Sequence, residues 1–312
     1  MKSIAYRAPA KIILSGEHSV VYGKPALVSG FGLYCTMTIH PGKGKKKLDE
    51  HIQKVHDIVF DYLHKLNPQL QRKDFRLQIS NEIPVGRGMG SSAALSVAFI
   101  AALLHFYSGK PAEKEVINSL AYQAEKHFHG NPSGADNTAC TYGGLIFYRK
   151  EFEFLKTISA LNSKLPQNIE EHLFLIDTGK AGESTAEMVR NVQKLYNSKP
   201  KATDQLLYSL EKLTKRLVVS VIKEDKNMFR ESIMENGKLL RKLGITSEKA
   251  DGILNILKSF GVGKITGGGG VEKGSGFILF YADRPEELIK YLIKKSIHYY
   301  PFTQDYKGVQ QV

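Results

Sequence analysis

Cysteine is nearly absent from this chain of 312 residues: Cys35 and Cys140 are the only two, and no CxxC pair occurs. Two thiols cannot build a disulfide framework, so a reducing cytoplasm is the expected compartment. Long apolar runs are missing as well. The longest stretch free of Lys, Arg, Asp and Glu covers residues 88–109, and its apolar part is 93–104. That part falls short of the roughly 18 residues a membrane span needs, so a buried core helix is expected there. Arg7, Lys11 and Glu17 come too early for a secretory leader. There is no P-loop, because Gly263-Lys264 is followed by Ile265 rather than Ser or Thr. The protein-kinase catalytic set, HExxH and GxSxG are absent too. Neither an internal repeat nor a low-complexity linker is found.

What is present is positive charge. Forty-four basic residues against 31 acidic give a formal net charge of +13. This balance favours acidic partners: nucleotides, phosphorylated metabolites, nucleic acid or an anionic membrane. Part of it sits in residues 43–47 (KGKKK), expected to be a solvated loop. The other lysines spread along helical stretches without the aromatic-interleaved stripe of a nucleic-acid face. Hydrophobic content of 42% with 24% charged residues predicts a globular protein with a sizeable core, as one large or two medium domains.

Along the chain, residues 4–40 alternate apolar and polar with Gly and Pro breaks and read as several strands. Residues 51–66 change to helical spacing, and 75–79 form a short strand. Helical patterns recur at 112–128, 183–196, 204–223, 227–243, 247–260 and 285–295. Strand-like stretches lie at 173–177, on either side of a glycine tract beginning at Lys264, and at 298–302. Residues 127–144 (HFHGNPSGADNTACTYGG) read as a loop of small residues and turn formers. Helices grouped between strands in the last third suggest an α+β domain with an antiparallel sheet. A boundary is expected near 161–168, dividing the chain into 1–165 and 166–312.

The most informative segment is 84–107, PVGRGMGSSAALSVAFIAALLHFY. Gly86, Gly88 and Gly90 allow a tight turn close to a ligand, and Ser91 or Ser92 is the expected N-cap of the helix that follows. That helix is apolar on most faces and should be buried. Free N–H groups at its start make an anion site, suited to a nucleotide polyphosphate; a tight turn before a core helix is the plainer alternative. Glu125 falls at the border of an apolar helix face, where a carboxylate needs a cation or becomes neutral unless it escapes to water. Asp136 fits either a turn-capping role or a site role. His127 and His129 have no third ligand at suitable spacing, so they read as loop residues.

Three stretches, in order, resemble the GHMP kinases: APAKIILSGEHSVVYG, IPVGRGMGSSAA and KITGGGG. The middle one is similar to that family's P-x-x-x-G-L-G-S-S-A loop, with Met89 in place of Leu. Within the superfamily, GEHSVVYG, HGNPSGADNTACTYGG, TGKAGESTAEMV and ENGKLLRKLGITS look most like the mevalonate kinases. The resemblance implies a two-lobed GHMP kinase fold. An N-terminal ribosomal-S5-domain-2-like α/β lobe and a C-terminal ferredoxin-like α+β lobe would hold the active site between them.

It also implies ATP- and Mg²⁺-dependent phosphorylation of the primary hydroxyl of mevalonate, with no nucleic-acid or membrane partner; a homodimer is compatible with it. The alternatives are a phosphomevalonate or sugar kinase, the decarboxylase of the superfamily, or a basic binding domain without catalysis. Carried over by position, Asp136 is the catalytic carboxylate with Lys11 beside it, and Ser92 and Glu125 are the Mg²⁺ ligands. Pro84, Gly86, Arg87, Gly88, Met89, Gly90, Ser91, Ser92, Gly267 and Gly268 surround the nucleotide phosphates. Glu17, His18 and Thr185 line the substrate region. Two departures stand out. Val271-Glu272-Lys273 interrupts the last glycine motif, and Arg87 stands where a small residue is usual, either touching a phosphate or pairing outward.

Overall fold

Residues 4–41 form two long strands rather than several short ones. β1 (Ile4–Ser15) and β2 (Ala26–Pro41) pair antiparallel from Ile4↔Ile39 to Ser15↔Leu27, with register shifts after Pro9 and Ile13. The breaks seen in the sequence are these irregularities, which bend the ribbon without ending it. A computed structural model of the chain describes residues 2–42, 48–129, 132–150, 156–161 and 164–312; the basic run at 43–47 lies outside them.

Helix α1 (Glu50–Leu66) starts at Asp49, whose side chain accepts from the His51 N–H. β3 (Phe75–Asn81) pairs with β2 and leads into the glycine loop and α2 (Ser91–Ser108). At 18 residues α2 is long and apolar enough to cross a membrane by length and composition. Most of it is buried inside the fold, where it packs on β1, β2 and its neighbouring helices. Phe99 within it is wholly buried, and its truncation to alanine would cost about 3–5 kcal/mol. α3 (Lys114–His129) follows, then α4 (Ala135–Tyr142), β4 (Leu145–Lys150) and β5 (Lys156–Leu161). α4 corrects the reading of 127–144 as a loop: its small residues pack closely against α2, α3 and β1.

A second sheet then forms. α5 (Gln167–Glu170) precedes β6 (Leu173–Gly179), and α6 (Thr185–Ser198), α7 (Pro200–Ile222), α8 (Lys226–Lys242) and α9 (Glu248–Leu257) come next. β7 (Gly261–Ile265), β8 (Gly276–Ala282), α10 (Pro285–Lys294) and β9 (Tyr299–Pro301) complete it. Its strand order is β7-β8-β6-β9, with every neighbour antiparallel.

The chain does not end there, as the sequence suggested. β10 (Gln304–Asp305) and β11 (Gln310–Gln311) return to the first sheet, on β2 and β1. Among the described residues the first sheet thus has seven strands. Its apolar core is continuous with one side of the second sheet through Leu175, Phe277 and Leu279. β1 is buried almost throughout because α2 and α4 pack on it along with α7 and α8.

Candidate active site

The glycine loop gets its shape from its neighbours. Asn81 holds its start, donating from Nδ2 to the Ile83 carbonyl and to Ser91 Oγ, each at 3.2 Å. Met89 is a core plug: its side chain is buried, and its carbonyl accepts the Lys11 N–H at 2.9 Å. Only its backbone can face a ligand. The N-cap of α2 is Gly90 in the left-handed conformation (φ 73°), with no side-chain cap, so the expected serine cap is corrected. Ser91 and Ser92 occupy the first helical turn. Among the described residues no side chain claims the leading N–H groups, which leaves them for an anion.

Beside this start stand Lys11 of β1 and its partner Asp136 in the first turn of α4, with Nζ and Oδ1 3.1 Å apart. Lys11 is buried, whereas the Asp136 side chain is 39% exposed and open to the cavity. Glu125 of α3 is 6% exposed. Burial, and secondly the nearby charge of Asp136, push its carboxyl up to about 8, against the pull of Lys11. A cation at this carboxylate would offset both effects.

The second glycine tract closes the site. The Ile13 N–H donates to Thr266 Oγ1 at 3.2 Å, and Thr266 Oγ1 donates to the Ile13 carbonyl at 3.0 Å. This stitches β1 to the tract. A Cβ on Gly267 would lie 3.0 Å from the Gly88 carbonyl oxygen, so the two glycine loops touch backbone to backbone. Gly268 abuts Thr185 at the start of α6, and its carbonyl lies 2.9 Å from His18 Nε2. That nitrogen must carry the imidazole proton, because its partner is a carbonyl. Burial lowers the His18 pKa, which favours the neutral ring, and its Nδ1 has no hydrogen-bond partner among the described residues. His18 has φ 57°, which turns the ring inward from the residues between β1 and β2.

A cavity of about 490 Å³ joins these groups. Its walls include Lys11, His18, Pro84 to Ser92, Glu125, Asp136, Thr185, Gly267 and Gly268. Two expectations shift. Glu17 does not line the cavity; it is buried behind it in an ion pair with Lys264, which also donates to the carbonyls of Ile13 and Ile265. Arg87 lines the cavity, but its guanidinium pairs with Asp177 of β6. The residues interrupting the last glycine motif are tied away from the cavity, the Val271 and Glu272 N–H groups donating to the Glu183 carboxylate at 3.1 Å.

Lys264, Asp177, Asn81 and Arg190, a further cavity residue, were missed in the sequence. For the first two, the signal is a partner 247 and 90 residues away, which no local pattern carries. Among the described residues no cluster of three or more His, Cys, Asp or Glu gathers. A cation here would therefore draw few ligands from protein and the rest from phosphate and water, as Mg²⁺ does.

Comparison with known proteins shows the family of the chain. The family described as GHMP kinases N terminal domain matches residues 51–144. A mevalonate kinase of Archaeoglobus fulgidus is 32% identical over 290 residues, covering 89% of this chain and 93% of that protein. One of Pyrococcus abyssi is 31% identical over 297 residues, covering 84% and 85%. The crystal structure of L. major mevalonate kinase in complex with R-mevalonate superposes with a TM-score of 0.77 at 26% identity, over 96% of this chain and 95% of that one.

Proposed function

The chain belongs to the mevalonate kinases, within the GHMP kinases, and from that premise we propose that it transfers the γ-phosphoryl group of ATP to the primary hydroxyl of mevalonate, giving 5-phosphomevalonate. The observation that carries this reading is the Lys11–Asp136 pair, gathered in one cavity with the uncapped start of α2.

Phosphoryl transfer needs in-line positioning and charge neutralisation more than covalent chemistry. Backbone N–H groups from Gly86 to Ser92 would hold the β and γ phosphates. Asp136 would orient the alcohol and accept its proton, while Lys11, paired with that carboxylate, would face the developing alkoxide. His18 Nδ1 would accept from a hydroxyl of the acceptor, and Thr185 would lie between acceptor and phosphates; both residues line the cavity. Mg²⁺ fits the donor set: the Ser92 hydroxyl and the Glu125 carboxylate are hard oxygens that both line the cavity, and a nearby cation would lower the raised Glu125 pKa. Bound with ATP, it supplies charge neutralisation of the phosphates.

The same reading divides the chain near 165/166, with the cavity where the two sheets' elements meet. It also places the protein in a reducing cytoplasm, which suits two buried free cysteines. A coupled ADP-release assay with ATP, Mg²⁺ and mevalonate tests the proposal, with phosphomevalonate and galactose as comparison acceptors. Mevalonate is expected to give the highest kcat/KM; ADP release no faster than with ATP alone would refute it.

A further inference from the structure

Three cations line the cavity: Lys11, Arg87 and Arg190. Two are matched by carboxylates, Lys11 by Asp136 and Arg87 by Asp177. Arg190 of α6 makes no hydrogen bond or ion pair with any described residue. Its nearest helical acid, Glu187, is bound into the capping box of Ser184, and that carboxyl is held low first by Ser184 and only last by Arg190. A guanidinium facing a cavity with no anion of its own points to a ligand that brings one.

Its place along the helix says which part of the ligand. Thr185, Ala186, Val189 and Arg190 fall at helical spacing on one face of α6, and this face walls the cavity. Thr185 abuts Gly268 at the glycine tracts. Arg190 lies five residues on, about 7.5 Å further along the axis. It lies toward the end where Tyr196 stacks on Tyr22 with ring centroids 5.4 Å apart, beside the cavity residues Val20 and Val21. Arg190 is thus set more than one helical turn along α6 from the glycine tracts that Thr185 meets.

Building on the proposed function, we propose that Arg190 is the specificity-determining cation for the acceptor. It pairs with a carboxylate at the end of the alcohol opposite the hydroxyl that is phosphorylated, and so favours anionic alcohols over neutral ones. Val20, Val21 and Val189 supply an apolar wall for the carbon chain between the two ends.

The test compares mevalonate with 3-methylpentane-1,3,5-triol, in which a neutral CH₂OH replaces the carboxylate, for the wild type, Arg190→Gln and Arg190→Lys. In Arg190→Gln the ratio of kcat/KM for mevalonate to that for the triol is expected to fall about 10–100-fold, the worth of a charge-assisted hydrogen bond. The fall should come through KM for mevalonate, with KM for ATP within about threefold of wild type, and Arg190→Lys should recover part of it. An unchanged acceptor ratio in Arg190→Gln, or a rise in KM confined to ATP, overturns the inference. Wild-type protein that does not phosphorylate mevalonate overturns the parent reading and this one with it. Wild-type activity with an insensitive Arg190→Gln overturns this one alone.

Discussion

Lys264 and Glu17, 247 residues apart, meet in an ion pair with neither side chain exposed. Burial drives both toward neutrality, pushing Glu17 up and Lys264 down, while each holds the other charged. Such a pair adds little net stability over apolar side chains, yet removing one partner strands a buried charge. It clamps the residue before His18 to β7, and His18 in turn meets Gly268. Lys264→Met is expected to cost about 3–5 kcal/mol in chemical unfolding. Adding Glu17→Gln should restore a large share of that loss. A single variant as stable as wild type would show that the pair is not buried as described.

Glu125 makes the protein's stability fall with rising pH. Its folded carboxyl titrates near 8, above the ordinary 4.5. Between these values the unfolded chain has lost a proton that the folded one keeps, so this group's contribution is full below about 4.5 and is lost by about 8. Glu125→Gln should remove that part of the slope between pH 5 and 8 in thermal unfolding. In the wild type Mg²⁺ competes with the proton, so stabilisation by MgATP should grow from pH 6 to pH 8.5; in Glu125→Gln it should stay flat.

Asp136→Asn keeps the size of the side chain and removes the charge facing Lys11. Turnover is expected to fall about 10²–10⁴-fold. ATP affinity, measured by calorimetry without acceptor, should change little because the glycine loop is untouched. Near-normal turnover would remove Asp136 from its proposed role.

How much of this was readable from residues alone follows the reach of the interactions. α2 and the glycine loop were legible because the signal is local: three glycines, two serines and an unbroken apolar run. α4 was not, because glycine and proline before it and small residues within it resemble a turn, and only packing against α2 and β1 makes it helical. β10 and β11 are two residues each, too short for any periodicity, and exist because β1 and β2 offer edges. The catalytic candidates were found by resemblance. The groups that hold them, Lys264 behind Glu17 and Asp177 on Arg87, required coordinates.

Two glycines at opposite ends of α2 separate backbone strain from damage to the site. Gly90 and Gly109 are both left-handed, at φ 73° and 78°. Alanine at either should cost about 1–2 kcal/mol of stability from that conformation alone. Their surroundings differ. A Cβ on Gly109 meets nothing within 4 Å, whereas one on Gly90 would come within 2.7 Å of Lys11 Cγ and 3.3 Å of its Cε. The lysine stem must move, and its ammonium, 3.1 Å from Asp136, must move with it. Displacements of about 1 Å at a reacting centre can lower rates about 10²-fold. Gly109→Ala is therefore expected to lower the unfolding midpoint while kcat stays within about twofold of wild type. Gly90→Ala should lower the midpoint by a similar amount and reduce kcat at least about tenfold. Equal kcat in the two variants would mean that Lys11 can shift without consequence, and that the close packing of β1 against the glycine loop serves the fold rather than the reaction.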